Sequence, residues 1–231
     1  ELEAFKPPER YTVSEWADKY RVLTNISAEP GRWRTARTPY LKEPMDKFTD
    51  PLIESISLCF GAQIGKTEAE LNMIGYALHQ TASPVMMVYP TDTIAKFASD
   101  KRVQPMIRSV EPLADMYDES SKLLELDFVN GNYMVLVGAN SPSSLSSRSI
   151  KYLFFDEIDK YPAFSGKEAN PIKLAEERTK TFVDKKIVRV STPTIESGNI
   201  WQSYMDANER KQYYVPCPHC GVSQTLKFKQ I

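Results

Sequence analysis

From residue 51 onward the chain alternates short apolar runs with stretches of helical periodicity. Residues 53–60 form an apolar run that predicts a buried strand, and Leu71, Ile74 and Leu78 then share one face of an amphipathic helix. Residues 84–89, Pro-Val-Met-Met-Val-Tyr, predict a second strand. Pro90-Thr91-Asp92 opens a helix expected to reach Ser109, with Thr91 as its N-cap. The apolar stretches 123–129 and 133–139 flank Asn130-Gly131-Asn132 and predict a hairpin. A serine-rich loop occupies 140–149. Residues 152–155 predict a strand, 171–181 a helix, 186–191 a strand ending at Thr192-Pro193-Thr194, and 199–209 a helix. A short strand-like run follows Cys-Pro-His-Cys-Gly in the tail. Strand, helix and strand in succession imply a parallel sheet. There is no internal repeat and no low-complexity segment.

Before residue 50 the periodicity is weak. Thr12-Val13-Ser14-Glu15-Trp16-Ala17 predicts a short capped helix, Glu29-Pro30-Gly31-Arg32-Trp33 a turn, and the stretch from Thr38 to Pro44 leads into another short helix.

Bulk properties set limits. A chain of 231 residues is long enough for one α/β domain with a full core and a small appendage. Its 42% hydrophobic and 26% charged residues are the balance of an ordinary globular protein. A net charge of −1 supplies no overall positive field, so any DNA contact must come from a local patch or from a part not present here. No run is long and apolar enough to span a membrane, and no membrane partner is expected. Glu1-Leu2-Glu3-Ala4-Phe5 does not read as a signal peptide, and the chain starts without Met, as a trimmed chain would. The cysteines, Cys59, Cys217 and Cys220, form no disulfide framework and fit a reducing cytosol.

The chemistry centres on Cys59-Phe60-Gly61-Ala62-Gln63-Ile64-Gly65-Lys66-Thr67. Strand, Gly-containing loop, Lys-Thr and helix is the arrangement of a P-loop. Successive loop N–H groups and a helix N-terminus cradle anions. In such a loop Gly61, Ala62, Gln63, Ile64 and Gly65 surround phosphate, Lys66 reaches the β- and γ-phosphates of ATP, and the Thr67 hydroxyl ligates Mg²⁺. The strict pattern asks for Gly where this chain has Phe60. The plainer reading is a Gly-Lys-Thr turn capping an ordinary helix.

A second signal lies downstream, where the apolar run Tyr152-Leu153-Phe154-Phe155 ends in Asp156-Glu157. In P-loop ATPases an Asp here holds the Mg²⁺ shell, and an adjacent Glu can deprotonate the attacking water. Two acids at the end of a buried strand are costly without a cation, which Mg²⁺ and Lys66 would supply. The plainer reading is an Asp-Glu pair opening a solvated loop. Together the two signals predict an ATP site, with Asp159 at the surface or in support. The polar strand end Ser191-Thr192-Pro193-Thr194 either senses the γ-phosphate or caps the next helix. The segment 1–50, too apolar for a free tail, is expected to be a lid on the nucleotide edge of the sheet. Tyr40 or Trp33 would stack on a base there, or else simply seal the core.

In this order the motifs Gly-Ala-Gln-Ile-Gly-Lys-Thr, Tyr-Pro-Thr, Leu-Phe-Phe-Asp-Glu, Ser-Thr-Pro-Thr and Cys-Pro-His-Cys-Gly resemble the ATPase domain of a tailed-phage terminase large subunit of the lambda type. The resemblance runs from Trp16 onward, and the terminase form of the P-loop accepts a non-Gly first position, which accounts for Phe60. It implies an α/β P-loop NTPase fold of the ASCE or RecA-like kind, with a mainly parallel central sheet flanked by helices. It also implies that ATP and Mg²⁺ drive double-stranded DNA through a portal protein into a procapsid, in the host cell cytoplasm. A small terminase subunit would be a partner, and the chain would join a ring when docked. Lys66 and Thr67 would bind phosphate and Mg²⁺, Asp156 would hold the Mg²⁺ shell, Glu157 would be the catalytic base, and Ser191, Thr192 and Pro193 would couple hydrolysis to movement. Full-length members also carry a metal-dependent nuclease. The expected division is a lid segment at 1–50, the ATPase core at 51–212, and at 213–231 the start of a linker toward an absent C-terminal nuclease domain.

Many terminases carry an arginine in the loop where this chain has Ala62. Arg148, in Ser143-Ser144-Leu145-Ser146-Ser147-Arg148-Ser149, is the candidate to supply that charge to a neighbouring subunit, with Arg178 and Arg102 as alternatives. Cys217 and Cys220 form half of a tetrahedral zinc site. No second ligand pair follows them, so Zn²⁺ is expected only in a longer protein. Two other readings stay open: a superfamily 2 helicase-like ATPase, and a nucleotide-binding scaffold, which would not require Glu157.

Overall fold

The computed structural model describes residues 9–146, 148–164 and 170–226. The readings of residues 1–5, of Ser147 and of the tail at 227–231 lie outside the described residues. Thr12 caps the first helix, α1 (Val13–Tyr20): its hydroxyl accepts from the Glu15 N–H, and the Glu15 carboxylate accepts from the Thr12 N–H. A two-stranded ribbon follows, β1 (Val22–Leu23) against β2 (Gly31–Arg32), and then α2 (Lys42–Lys47).

The remaining strands and helices follow in chain order. They are β3 (Ser55–Cys59), α3 (Lys66–Tyr76), β4 (Val85–Tyr89), α4 (Asp92–Ala98), α5 (Gln104–Ser109), α6 (Glu111–Ala114), β5 (Glu125–Asp127), β6 (Tyr133–Gly138), α7 (Pro142–Leu145), β7 (Tyr152–Asp156), α8 (Pro171–Glu176), β8 (Lys186–Ser191) and α9 (Asn199–Met205). A last ribbon pairs β9 (Val215–Pro216) with β10 (Ser223–Gln224). Six strands form the main sheet in the order β3-β8-β7-β4-β6-β5, all parallel except the antiparallel edge β5. Every residue of β4 and β7 is buried, as their unbroken apolar sequences require of parallel strands covered on both faces. Val85, Met87, Tyr152 and Phe154 join the core under α1, α2, α3 and α5, while Met86, Val88, Leu153 and Phe155 face Leu145, Ala175 and Ile200 on the other side.

Three expectations are corrected. The strand at 53–60 is not a buried one: β3 lies at the sheet edge, and of its residues Leu58 alone is fully buried. Ser55, Ser57 and Cys59 alternate with Ile56 and Leu58, so the strand has one apolar face. The helix expected at 92–109 contains a π-helical turn, Ser99–Val103, just before Pro105. Proline offers no N–H to the carbonyl four residues earlier, and a local widening accommodates that loss. The helices at 171–181 and 199–209 are shorter than expected, ending their α-helical parts at Glu176 and Met205.

The N-terminal helix is locked onto α3. A Cβ on Gly75 would come within 2.3 Å of the Trp16 ring, so glycine is what allows the two helices to approach. The Trp16 indole N–H donates to His79 Nδ1 at 2.9 Å, which requires a neutral acceptor imidazole. Burial pushes the His79 pKa below its usual value of 6.5. As pH falls below that value, the unfolded chain takes up a proton that the folded one resists, and this stabilisation is lost. His79→Phe should therefore lower the melting temperature at pH 7.5, and its deficit against the wild type should narrow by pH 5.5, read by thermal melts on tryptophan fluorescence.

Candidate nucleotide and cation site

The loop between β3 and α3 stands at the C-terminal end of the parallel strands, where α/β sheets bind ligands. Gln63 (φ 58°) and Gly65 (φ 83°) adopt left-handed backbone, and a Cβ on Gly65 would meet Leu41 Cδ1 at 3.2 Å. Lys66 and Thr67 open α3 immediately afterwards. Tyr40 braces the loop from outside: its hydroxyl donates to the Ile64 carbonyl at 3.0 Å, and its ring meets Tyr213 edge-on.

A cavity of about 590 Å³ opens against this loop. Ala62, Gln63, Gly65, Lys66 and Thr67 line it together with Glu157, Ser191, Thr192 and Thr194. Arg21, Thr24, Ile26, Ser27, Lys101 and Arg102 are among the other residues that line it. The Lys66 ammonium donates to Thr192 Oγ1 at 2.8 Å and to the Gly61 carbonyl at 3.4 Å. Trp33 is buried, with its indole N–H on Thr35, so it seals the core. Neither Trp33 nor Tyr40 lines the cavity.

Asp156 ends β7 almost fully buried, and its Oδ1 has no hydrogen-bond partner. Burial, reinforced by Glu157, pushes its pKa from 3.8 up to about 6, against the opposing pull of Arg102 and Lys66. Glu70, on α3, is wholly buried with both carboxylate oxygens unpartnered. Burial and then Asp156 hold its pKa well above the ordinary carboxylate value. Glu157 takes a left-handed backbone (φ 53°), uncommon for a residue with a Cβ, and its carboxylate pairs with Lys160 at 2.7 Å. Three orphaned buried oxygens beside a Lys-Thr pair fit a hydrated Mg²⁺, which brings positive charge and water O–H donors. Thr67 and Asp156 would hold it.

Asp159 has a definite structural task. Its carboxylate accepts from the Thr194 N–H and hydroxyl at 3.3 Å and from the Ile200 N–H at 2.7 Å, tying the segment after β8 to the end of β7. A Cβ on Gly198 would lie 2.5 Å from that carboxylate.

Arg148 is not brought to this cavity. Its guanidinium bonds Glu125 at 2.6 Å and lies over the Tyr133 ring, at the opposite end of the strands, so it can act on a nucleotide only across an interface. Arg178 is likewise remote, donating to the Ser146 carbonyl at 3.1 Å. Arg102, the remaining alternative, does line the cavity. Cys217 and Cys220 sit in the turn between β9 and β10, where backbone N–H groups of Cys220 and then His219 lower the Cys217 pKa. Among the described residues no three His, Cys, Asp or Glu side chains gather into a ready-made metal cage.

Sequence reasoning missed Arg21, Lys101 and Glu70. Arg21 is buried against Glu68 at 2.7 Å, a contact across 47 positions that no local pattern announces. Glu70 did carry a signal: it follows Lys66 by four residues and Thr67 by three, the spacing of one helix face.

A parallel sheet with Gly-Lys-Thr after one strand and Asp-Glu after another, the two strands separated by a single neighbour, defines a P-loop NTPase. The chain belongs to the family described as phage terminase large subunit gpA, ATPase domain, whose model matches residues 27–231. It is 28% identical over 229 residues to the terminase large subunit of Enterobacteria phage P21, covering 96% of this chain and 35% of that one. Against the terminase large subunit of Escherichia phage lambda the identity is 27%, with the same coverage. The chain thus spans about a third of the length of these curated relatives (35%). The HK97 bacteriophage large terminase shares the fold, with a TM-score of 0.65 at 13% identity over 84% of this chain and 40% of that one.

Removing a buried, unpartnered charge should stabilise the fold. Above pH 6 the ionised Asp156 opposes folding, by on the order of 2–3 kcal/mol for a pKa raised from 3.8 to about 6. Asp156→Asn should therefore raise the melting temperature of the metal-free protein at pH 7.5, and the gain should shrink toward pH 5, where the wild-type carboxyl is itself protonated. Equal melting curves at pH 7.5 would count against the buried charge.

Proposed function

We propose that this chain binds ATP with Mg²⁺ in the 590 Å³ cavity, hydrolyses it, and thereby drives double-stranded DNA into a procapsid. The carrying observation is that Lys66 and Glu157 line one cavity with Asp156 buried beside them, in a chain of the terminase ATPase family. Lys66 would orient the β- and γ-phosphates, and Thr67 and Asp156 would hold Mg²⁺, which neutralises charge building on the transferred phosphoryl group. Glu157 would take the proton of the attacking water after leaving Lys160. With Ala62 in the loop, Arg102 is the arginine best situated to add charge within the subunit. Arg148 would do so only for a neighbour in a ring.

The Lys66–Thr192 hydrogen bond supports a coupling role for Ser191, Thr192 and Pro193. Phosphate would draw Lys66 away and free Thr192, and the Asp159 clamp would pass that change toward α9. Residues 1–50 would then form a lid packed on the nucleotide edge of the core, 51–212 the motor core and 213–231 the start of a linker. A portal protein, a small terminase subunit, the host cytoplasm and a separate nuclease activity belong to the same proposal for the whole protein. Zn²⁺ at Cys217 and Cys220 would need two further ligands.

The test is phosphate release by the purified protein, with and without DNA. Lys66→Ala should abolish it. Glu157→Gln should slow it by roughly 10²–10⁴-fold while Mg²⁺·ATP still binds. Undiminished turnover in Lys66→Ala would overturn the site. Thr192→Val should keep basal hydrolysis but lose its stimulation by DNA, measured in the same assay; intact stimulation would remove Thr192 from coupling.

A further inference from the structure

Helix α3 is buried nearly all round. Ala69, Leu71, Met73 and Ile74 fill the core, and one acid, Glu70, stands among them with no exposed surface. Its two oxygens meet no donor. Packing does not call for a carboxyl group at this position, because an apolar side chain would leave nothing unsatisfied. Lys66, Thr67 and Glu70 share one face of α3, and the charged groups acting on Glu70 are Asp156, Lys66 and Glu157, which are the phosphate- and cation-directed residues themselves. The cation that acts on Glu70, Lys66, gives its hydrogen bonds to Thr192 and Gly61. What the pair of orphaned acids lacks is a source of hydrogen-bond donors carrying positive charge. Mg²⁺ keeps several of its waters when bound, and those waters are such donors.

We propose that Glu70 is a further acid of the cation site, accepting hydrogen bonds from the water shell of the Mg²⁺ held by Thr67 and Asp156. The inference rests on the Mg²⁺·ATP reading of the cavity. In this proposal Glu70 acts through water, because Mg²⁺ keeps several of its waters when bound. It is a positioning residue: it fixes the waters and, through them, the ion.

The experiment titrates Mg²⁺ against a fluorescent ATP analogue bound to the wild type, Glu70→Gln, Glu70→Leu and Asp156→Asn, with metal-free melting curves for each. Loss of an outer-shell partner should raise the half-saturating Mg²⁺ concentration by about 10–100-fold, more for Leu than for Gln. The metal-free Glu70→Leu protein should melt at or above the wild type, because an unpartnered buried acid is gone. Weaker Mg²⁺ binding with undiminished stability is a pairing that a purely structural acid would not produce. Should Glu70→Leu fail to fold, the isosteric Glu70→Gln carries the titration. Half-saturation within about twofold of wild type in the folded Glu70 variants, with Asp156→Asn weakened, would overturn the role of Glu70 alone. Absence of Mg²⁺-dependent nucleotide binding in the wild type would instead overturn the reading of the cavity.

Discussion

Asp156 and Glu70 bring two carboxyl groups into the interior, one from β7 and one from α3, and three of their four oxygens find no donor. Around them lie Lys66, Glu157 and Arg102, so positive and negative groups crowd a small volume. Folding alone gains nothing from that arrangement. On the proposed reading it would become favourable once phosphates met Lys66 and the loop N–H groups while a divalent ion met the acids. The metal-free site is thus electrostatically incomplete.

The sheet sets the distance over which that incompleteness is held. β8 lies between β3 and β7 in parallel register, pairing Cys59 with Ser191 and Asp156 with Val190. The P-loop, the acidic pair and the polar end of β8 must therefore emerge side by side. Lys66 reaches Thr192 across 126 positions because the register leaves their backbones as neighbours. Asp159 fastens the continuation of β8 to the end of β7, so the three strand ends form one mechanical unit.

The N-terminal segment completes the pocket by packing rather than by motif. Trp16 against Gly75 and His79 fixes α1 on α3, and Arg21, at the end of that helix, reaches Glu68 in the first turn of α3. Arg21, Thr24, Ile26 and Ser27 close one side of the cavity as a result.

The strands and the two acidic and basic motifs were legible in the sequence because each rests on contiguous residues. Five parallel strands appear where apolar runs predicted them, and the capping box of α1 carries its own local chemistry. Edge and centre could not be told apart in this way: β3 is half exposed because of where it stands in the strand order, which is decided by long-range pairing. The same holds for charge. Lys66, Asp156 and Glu157 declared themselves by spacing, whereas Arg21 and Arg102 entered the cavity through helix packing and the π-helical turn, and Arg148 was carried to the far end of the strands. Local sequence specifies which groups are held at a strand end or a helix start, since neighbours along the chain define those sites. Only the tertiary structure decides which distant side chains share a low-dielectric space with them, since that depends on the packing of whole elements.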